Sequence, residues 1–164
     1  MSSFKIININ GRFELGDNYF SGESLYISTN KYCDLIIEDK VMFGPEVMIL
    51  GGNHNVGFSQ GDIWDFKSDM KNSSNIKFER GCWIGARSLI LSGALISEGS
   101  VIGAGSIVSH YIPPYVIAVG SPAKKYRARF SKLELETLLP LVNSSLTLKQ
   151  IESNYKSYGI KFRE

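Results

Sequence analysis

The sequence predicts an all-β chain wound as a parallel solenoid, and three observations predict it. From Phe78 the chain reads in sixes, FERGCW, IGARSL, ILSGAL, ISEGSV, IGAGSI and VSHYIP, headed by Phe78, Ile84, Ile90, Ile96, Ile102 and Val108. The fifth place holds Cys82, Ser88, Ala94, Ser100 and Ser106 before Ile112, and glycine recurs at the second or fourth place. An upstream block, IEDKVM, FGPEVM, ILGGNH, keeps the same beat from Ile37, Phe43 and Ile49. A period of six is neither the 3.6 of an amphipathic helix nor the alternation of a hairpin meander. An aliphatic first place and a small fifth place can both point inward, while glycine permits the turn. Three hexads make one triangular coil, and each coil buries its aliphatic column only by stacking on the next. A β-sandwich turns every 8 to 12 residues or so at uneven spacing and fits this beat poorly.

Taken in order, the amino-terminal third is less regular. LGDNYF, SGESLY and ISTNKY can be set in sixes from Leu15, but the register must shift before Ile37, which predicts a bulged or looped coil. The phase slips again between Ile49 and Phe78, and residues 55 to about 75 are too long for a solenoid turn. After Pro122 the pattern changes class. Ser131 with Glu134, and Thr147 with Gln150, form capping boxes ahead of Leu135, Leu138, Leu139 and of Leu148, Ile151, Tyr155 at helical spacing. Two short helices, parted near Pro140, should close the chain over a solenoid end or against a neighbouring subunit. The division predicted is a solenoid over 1–130, with an extended loop at about 55–75, and a helical extension over 131–164.

Composition sets the outer bounds. The chain has 164 residues, enough for one core without metals or disulfides, a net charge of +2 and 21% charged residues. Such a balance gives no global field for nucleic acid. No window reaches the roughly 20 apolar residues of a membrane span, and MSSFKIINING has no signal-like apolar run, so the expected location is cytoplasmic. Cys33 and Cys82 lack metal-site spacing and read as buried thiols.

His54 is one of two histidines, and it closes the hexad ILGGNH at the point where the chain leaves the repeat. It therefore follows a rigid strand and heads a long loop, a place where function concentrates. The loop carries Phe58, Trp64 and Phe66 among Asp62, Asp65 and Asp69. Two readings stand for it: aromatic faces and carboxylates that suit a polyhydroxyl acceptor, or aromatics that anchor on the next subunit.

The run CWIGARSLILSGALISEGSVIGAGSIVSHYIPPYVIAVGSPAKKYRARF resembles the carboxy-terminal half of the hexapeptide-repeat acyltransferases, the left-handed parallel β-helix family that includes galactoside, maltose and xenobiotic acetyltransferases. The likeness spans about residues 35 to 130 and rests on WIGA, the successive IGxGS hexads, the IPPY turn and GSPAK in order. Spacing alone leaves the hand open, and the usual preference for right-handed crossovers points the other way. The resemblance implies a left-handed parallel β-helix, a homotrimer with active sites between subunits, and acetyl-CoA as acyl donor, with no metal. It makes His54 the general base, drawing the proton from an acceptor hydroxyl that attacks the thioester directly. It places Trp83 beside the pantetheine arm and gives Ala86 and Ala104 backbone contacts to coenzyme A. Ser109 and the cluster Lys124, Lys125, Arg127 and Arg129 then fall near the phosphates. At 110 the family commonly has lysine or arginine; here His110 either donates to a phosphate or is simply exposed.

The implied activity is O-acetylation of a sugar hydroxyl, with a bacterial surface polysaccharide or its precursor as the expected acceptor. Within the enzyme class the alternatives are N-acetylation of an amino sugar and O-acetylation of a xenobiotic; outside it stands a purely structural β-solenoid. A zinc solenoid enzyme of the γ-carbonic anhydrase type needs three histidines, and this chain has two.

Overall fold

A computed structural model describes residues 4–66 and 73–164. The chain is wound in five coils of three strands. They are β1 (Phe4–Ile9), β2 (Phe13–Leu15), β3 (Phe20–Ser21); β4 (Leu25–Thr29), β5 (Leu35–Ile37), β6 (Met42–Phe43); β7 (Met48–Gly51), β8 (Ile76–Phe78), β9 (Trp83–Ile84); β10 (Leu89–Leu91), β11 (Leu95–Ile96), β12 (Val101–Ile102); and β13 (Ile107–Val108), β14 (Tyr111–Ile112), β15 (Val116–Val119). The first, second and third strands of successive coils stack into three parallel sheets, here faces one, two and three. The winding is that of a left-handed parallel β-helix. A last strand, β16 (Lys125–Ala128), turns back and runs antiparallel to β15.

The hexad columns form the core. Phe78, Ile84, Ile90, Ile96, Ile102 and Val108 are fully buried, and so are Cys82, Ser88, Ala94, Ser100 and Ile112 from the fifth place. Inward polar atoms find carbonyls: Ser100 Oγ lies 2.7 Å from the oxygens of both Ser97 and Pro113, and Ser88 Oγ donates to Gly103 O at 3.2 Å. Phe43 and Phe78, neighbours on different faces of the interior, meet edge to face at 5.1 Å and 82°. The phase slip before Ile37 is a wider turn after β4, where Cys33 N–H donates to Asn30 O at 3.2 Å and Tyr32 N–H to Asn30 Oδ1 at 3.0 Å. β1 is bulged against β4 between Ile6 and Asn8.

Both cysteines are buried and unpaired with each other. Burial pushes the Cys82 thiol well above the ordinary range and raises the Cys33 thiol as well. In the native protein at pH 8 neither should react with a thiol reagent, whereas both should in denaturant; native-state labelling of either on the timescale of an exposed thiol would contradict the packing described.

Two helices close the far end, α1 (Lys132–Leu141) and α2 (Leu148–Ser157). Both capping boxes are present: Glu134 N–H donates to Ser131 Oγ and Gln150 N–H to Thr147 Oγ1, each at 3.3 Å. The helices part after Pro140 rather than before it, because the proline sits in the last turn, where only the bond to the Glu136 carbonyl is forgone. Leu135, Leu139, Ile151 and Tyr155 join the solenoid core, and Tyr155 Oη donates to Tyr115 O at 2.8 Å. Ser131→Ala should cost about 1 kcal/mol of stability, read by denaturant titration. The Ser131 N–H, with Arg163, also holds the Glu134 carboxyl below its usual range. A lowered folded value means the box contributes above the unfolded pKa and loses that contribution as pH falls through the folded one, so α1 should fray on acidification.

Candidate functional site

The three corners of the prism carry different chemistry. The first corner, after face one, is where β7 hands over to the long excursion ending at β8. Gly51 and Gly52 make the exit possible: a Cβ on Gly51 would lie 2.3 Å from Cys33 Sγ, and Gly52, at φ +102°, passes close against the Asn30 side chain. The chain leaves flat against the preceding coil and delivers His54 to the surface. Immediately after it, Asn55 Oδ1 accepts from Gly57 N–H at 3.0 Å and Asn55 O from Phe58 N–H at 3.2 Å, fixing the backbone beyond the histidine. Neither His54 ring nitrogen has a hydrogen-bond partner among the described residues.

His54 stands at one end of a cavity of about 170 Å³ lined by Asn8, Asn10, Ser28, Thr29, Asn30, Gly51, Gly52 and Asn53. Among the described residues, every lining side chain apart from the imidazole is an uncharged amide or hydroxyl. Asn10 Nδ2 donates to Asn8 Oδ1 at 2.6 Å and Asn30 Nδ2 to Ser73 Oγ at 2.9 Å, while the buried Thr29 Oγ1 has no partner among the described residues. Beyond the cavity, Phe58 packs on Phe66 at 5.1 Å, Asp62 opens a 3-10 turn over Ile63–Asp65, and Trp64 is 94% exposed. Asp69 lies outside the described residues.

The third corner, after face three, forms a rail along the helix axis. Ala86 stands at it one coil above Ala104, with Gly105 N–H donating to Ala86 O at 2.9 Å, and Ile107 N–H reaches Gly120 O at 3.0 Å in the coil beyond. The rungs are close: a Cβ on Gly85 would lie 2.5 Å from Ala104 N. Trp83, 49% exposed, projects from face three just before this corner, in register with Met42 and Val101. Lys124 and Lys125 are exposed where the chain turns back below Gly120, and Arg127 follows on the outer edge. None of these three forms an ion pair among the described residues.

The structure splits one group that the sequence reads as a cluster. β16 runs back across face three, so Arg129 arrives at the second corner, a full face away from Lys124, where its N–H donates to Tyr115 O at 3.0 Å and its guanidinium to Gly99 O. Ser109 and His110 fall on the first corner, in the last coil, rather than on the rail. Ser109 is exposed; His110 is half-buried and its Nε2 lies 3.0 Å from Tyr126 Oη, so it is held against β16 rather than standing free. Within one subunit His54 and the Ala86–Ala104 rail are therefore parted by the width of face one, roughly 15 Å at about 3.3 Å per residue. The amide cavity had no counterpart in the sequence reading.

Among curated proteins the chain is 32% identical to a chloramphenicol acetyltransferase of Klebsiella aerogenes, covering 87% of this chain and 78% of that one. It is 34% identical over 111 residues to a galactoside O-acetyltransferase of Lactococcus lactis, covering 65% of this chain and 51% of that one. The chain spans about half the length of the curated relatives it matches first. No family model matches it. Among solved structures, an N-acyltransferase of Bacillus cereus, AntD, held with dTDP-4-amino-4,6-dideoxyglucose and coenzyme A, superposes with a TM-score of 0.55 over 86% of this chain and 87% of that one at 20% identity, a likeness of fold. No helix among the described residues is long and apolar enough to cross a membrane.

Proposed function

Since this chain belongs to the hexapeptide-repeat acetyltransferase family, we propose that it moves the acetyl group of acetyl-CoA to a hydroxyl of a neutral, sugar-like acceptor. The observation that carries the acceptor class is the cavity beside His54, whose amides and hydroxyls offer donors and acceptors and, among the described residues, neither a carboxylate nor a lysine or arginine. A polyol can satisfy such groups at every edge; an ammonium would find no counter-charge there.

In this reading His54 takes the proton of the acceptor hydroxyl as its oxygen attacks the thioester carbonyl. The tetrahedral oxyanion is met by backbone N–H groups, and its collapse breaks the C–S bond, with the imidazolium returning the proton to the departing thiolate. Coenzyme A runs along the third corner, past Trp83 and the Ala86 and Ala104 backbones, toward Lys124, Lys125 and Arg127, which suit its phosphates. Because the base and this rail sit on different corners, the reaction needs two subunits, one giving each, in a homotrimer; Ser109 and His110 then approach the coenzyme from the first-corner side. A cytoplasmic setting and a role on a surface polysaccharide or its precursor belong to the same reading.

A second acceptor class, a drug-like hydroxyl, is favoured by the similarity to the Klebsiella chloramphenicol acetyltransferase. Incubation of the purified protein with acetyl-CoA and a panel of glycosides, amino sugars and chloramphenicol, with products read by mass spectrometry, separates the classes. O-acetylated glycosides are the expected products. Acetylation of the amines or of chloramphenicol alone would overturn the sugar-hydroxyl reading.

A further inference from the structure

The second corner, to which the chain's course carries Arg129 away from the proposed donor site, holds a cleft of about 310 Å³ between the solenoid and α1. Three cations line it, Lys40, Arg80 and Arg129, against one carboxylate, Glu98. That carboxylate is already engaged: Glu98 is 7% exposed and accepts from Tyr115 Oη at 2.7 Å. The cations are not matched. Arg80 donates to the Val142 carbonyl, Arg129 donates to the Gly99 carbonyl and stacks on Phe130 with its guanidinium carbon 4.7 Å from the ring centroid. Among the described residues no carboxylate forms an ion pair with either arginine or with Lys40. A guanidinium taken partly out of water with only carbonyl partners is poorly compensated, and burial accordingly pulls the Arg129 pKa down.

The cleft has an apolar side as well. Phe130, Leu138 and Leu141 pass from it into a groove of about 420 Å³ along α1, where Leu133 and Leu141 are 72% and 75% exposed. We propose that this cleft binds a small organic anion, its oxyanionic head held by Lys40, Arg80 and Arg129 and its apolar body lying on Phe130 and Leu141. Guanidinium pairs match the planar oxygens of a carboxylate and those of a phosphate monoester, and a combined lining of this size accommodates a single aromatic ring.

Calorimetric titration of the full chain tests this with benzoate and phenyl phosphate, which share the ring and differ in the head, and with inorganic phosphate and benzyl alcohol, which each lack half of the recognised chemistry. Benzoate, phenyl phosphate or both should bind saturably, and Lys40→Gln and Arg129→Gln should each weaken that binding roughly tenfold. The ratio of the two affinities identifies the head group. Should R129Q not fold, K40Q decides, since Lys40 is exposed. Absence of binding by both organic anions, binding unaltered in the variants, or equal binding of benzyl alcohol or inorganic phosphate would each overturn the proposal.

Discussion

His54→Ala should reduce acetyl transfer by about 10²- to 10⁴-fold while leaving coenzyme A affinity and the oligomeric state unchanged. The separation follows from the position of the residue. His54 is exposed and makes no hydrogen bond among the described residues, so its removal should touch neither fold nor rail. What is lost is the group that can take a proton from a hydroxyl as it attacks. A neutral alcohol is a poor nucleophile, and among the described residues that line the cavity His54 alone can act as a base. The loss should fall on kcat, because the remaining lining still binds the acceptor. Retention of full activity would remove His54 from the base assignment.

The largest effect on stability should come from Phe78→Ala, at about 3 to 5 kcal/mol. Phe78 is fully buried at the head of its hexad, pairs in register with Ile37 and Ile96 in the coils on either side, and meets Phe43 edge to face. The cavity left by its ring cannot collapse, because the neighbouring coils are pinned by their own ladders. Against an ordinary domain stability of about 5 to 15 kcal/mol, the variant should melt roughly 10 °C lower. The exposed face offers the control: Trp64→Ala, at a side chain 94% exposed, should leave the melting temperature within about a degree. Equal destabilisation by the two would contradict the interior described for Phe78.

These two residues also mark how far the sequence could be read. The columns from Ile37 to Ile112 were legible because burial repeats with the period of the coil, and every residue that heads a hexad, from Ile37 to Val108, is inside. His54 was legible because it breaks that period. The first coil was not, since β1 is bulged and Leu15, although in register with Ile37, is left 38% exposed at an open end. The amide cavity escaped detection for a different reason. Asn8, Asn10, Asn30 and Asn53 come from three coils, and asparagines in turns carry no periodic signal that would bring them together. The fate of Arg129 was hidden in a reversal: residues two apart share one side of β16, yet the strand runs away from Lys124, so closeness in sequence gave distance in space.

The separation of His54 from the Ala86–Ala104 rail by face one makes the most exacting demand on the proposed reaction. It can be met by co-expressing two differently tagged chains, one carrying His54→Ala and the other Ala104→Trp. Ala104 is exposed, so the indole should obstruct the rail without disturbing the core. Each variant alone should be inactive with acetyl-CoA and a glycoside acceptor. Mixed assemblies purified through both tags should recover a substantial fraction of wild-type activity, because an intact base on one subunit meets an intact rail on another. Mixed assemblies as inactive as their parents would show that base and donor site must come from the same chain, and would contradict a reaction centre assembled between subunits.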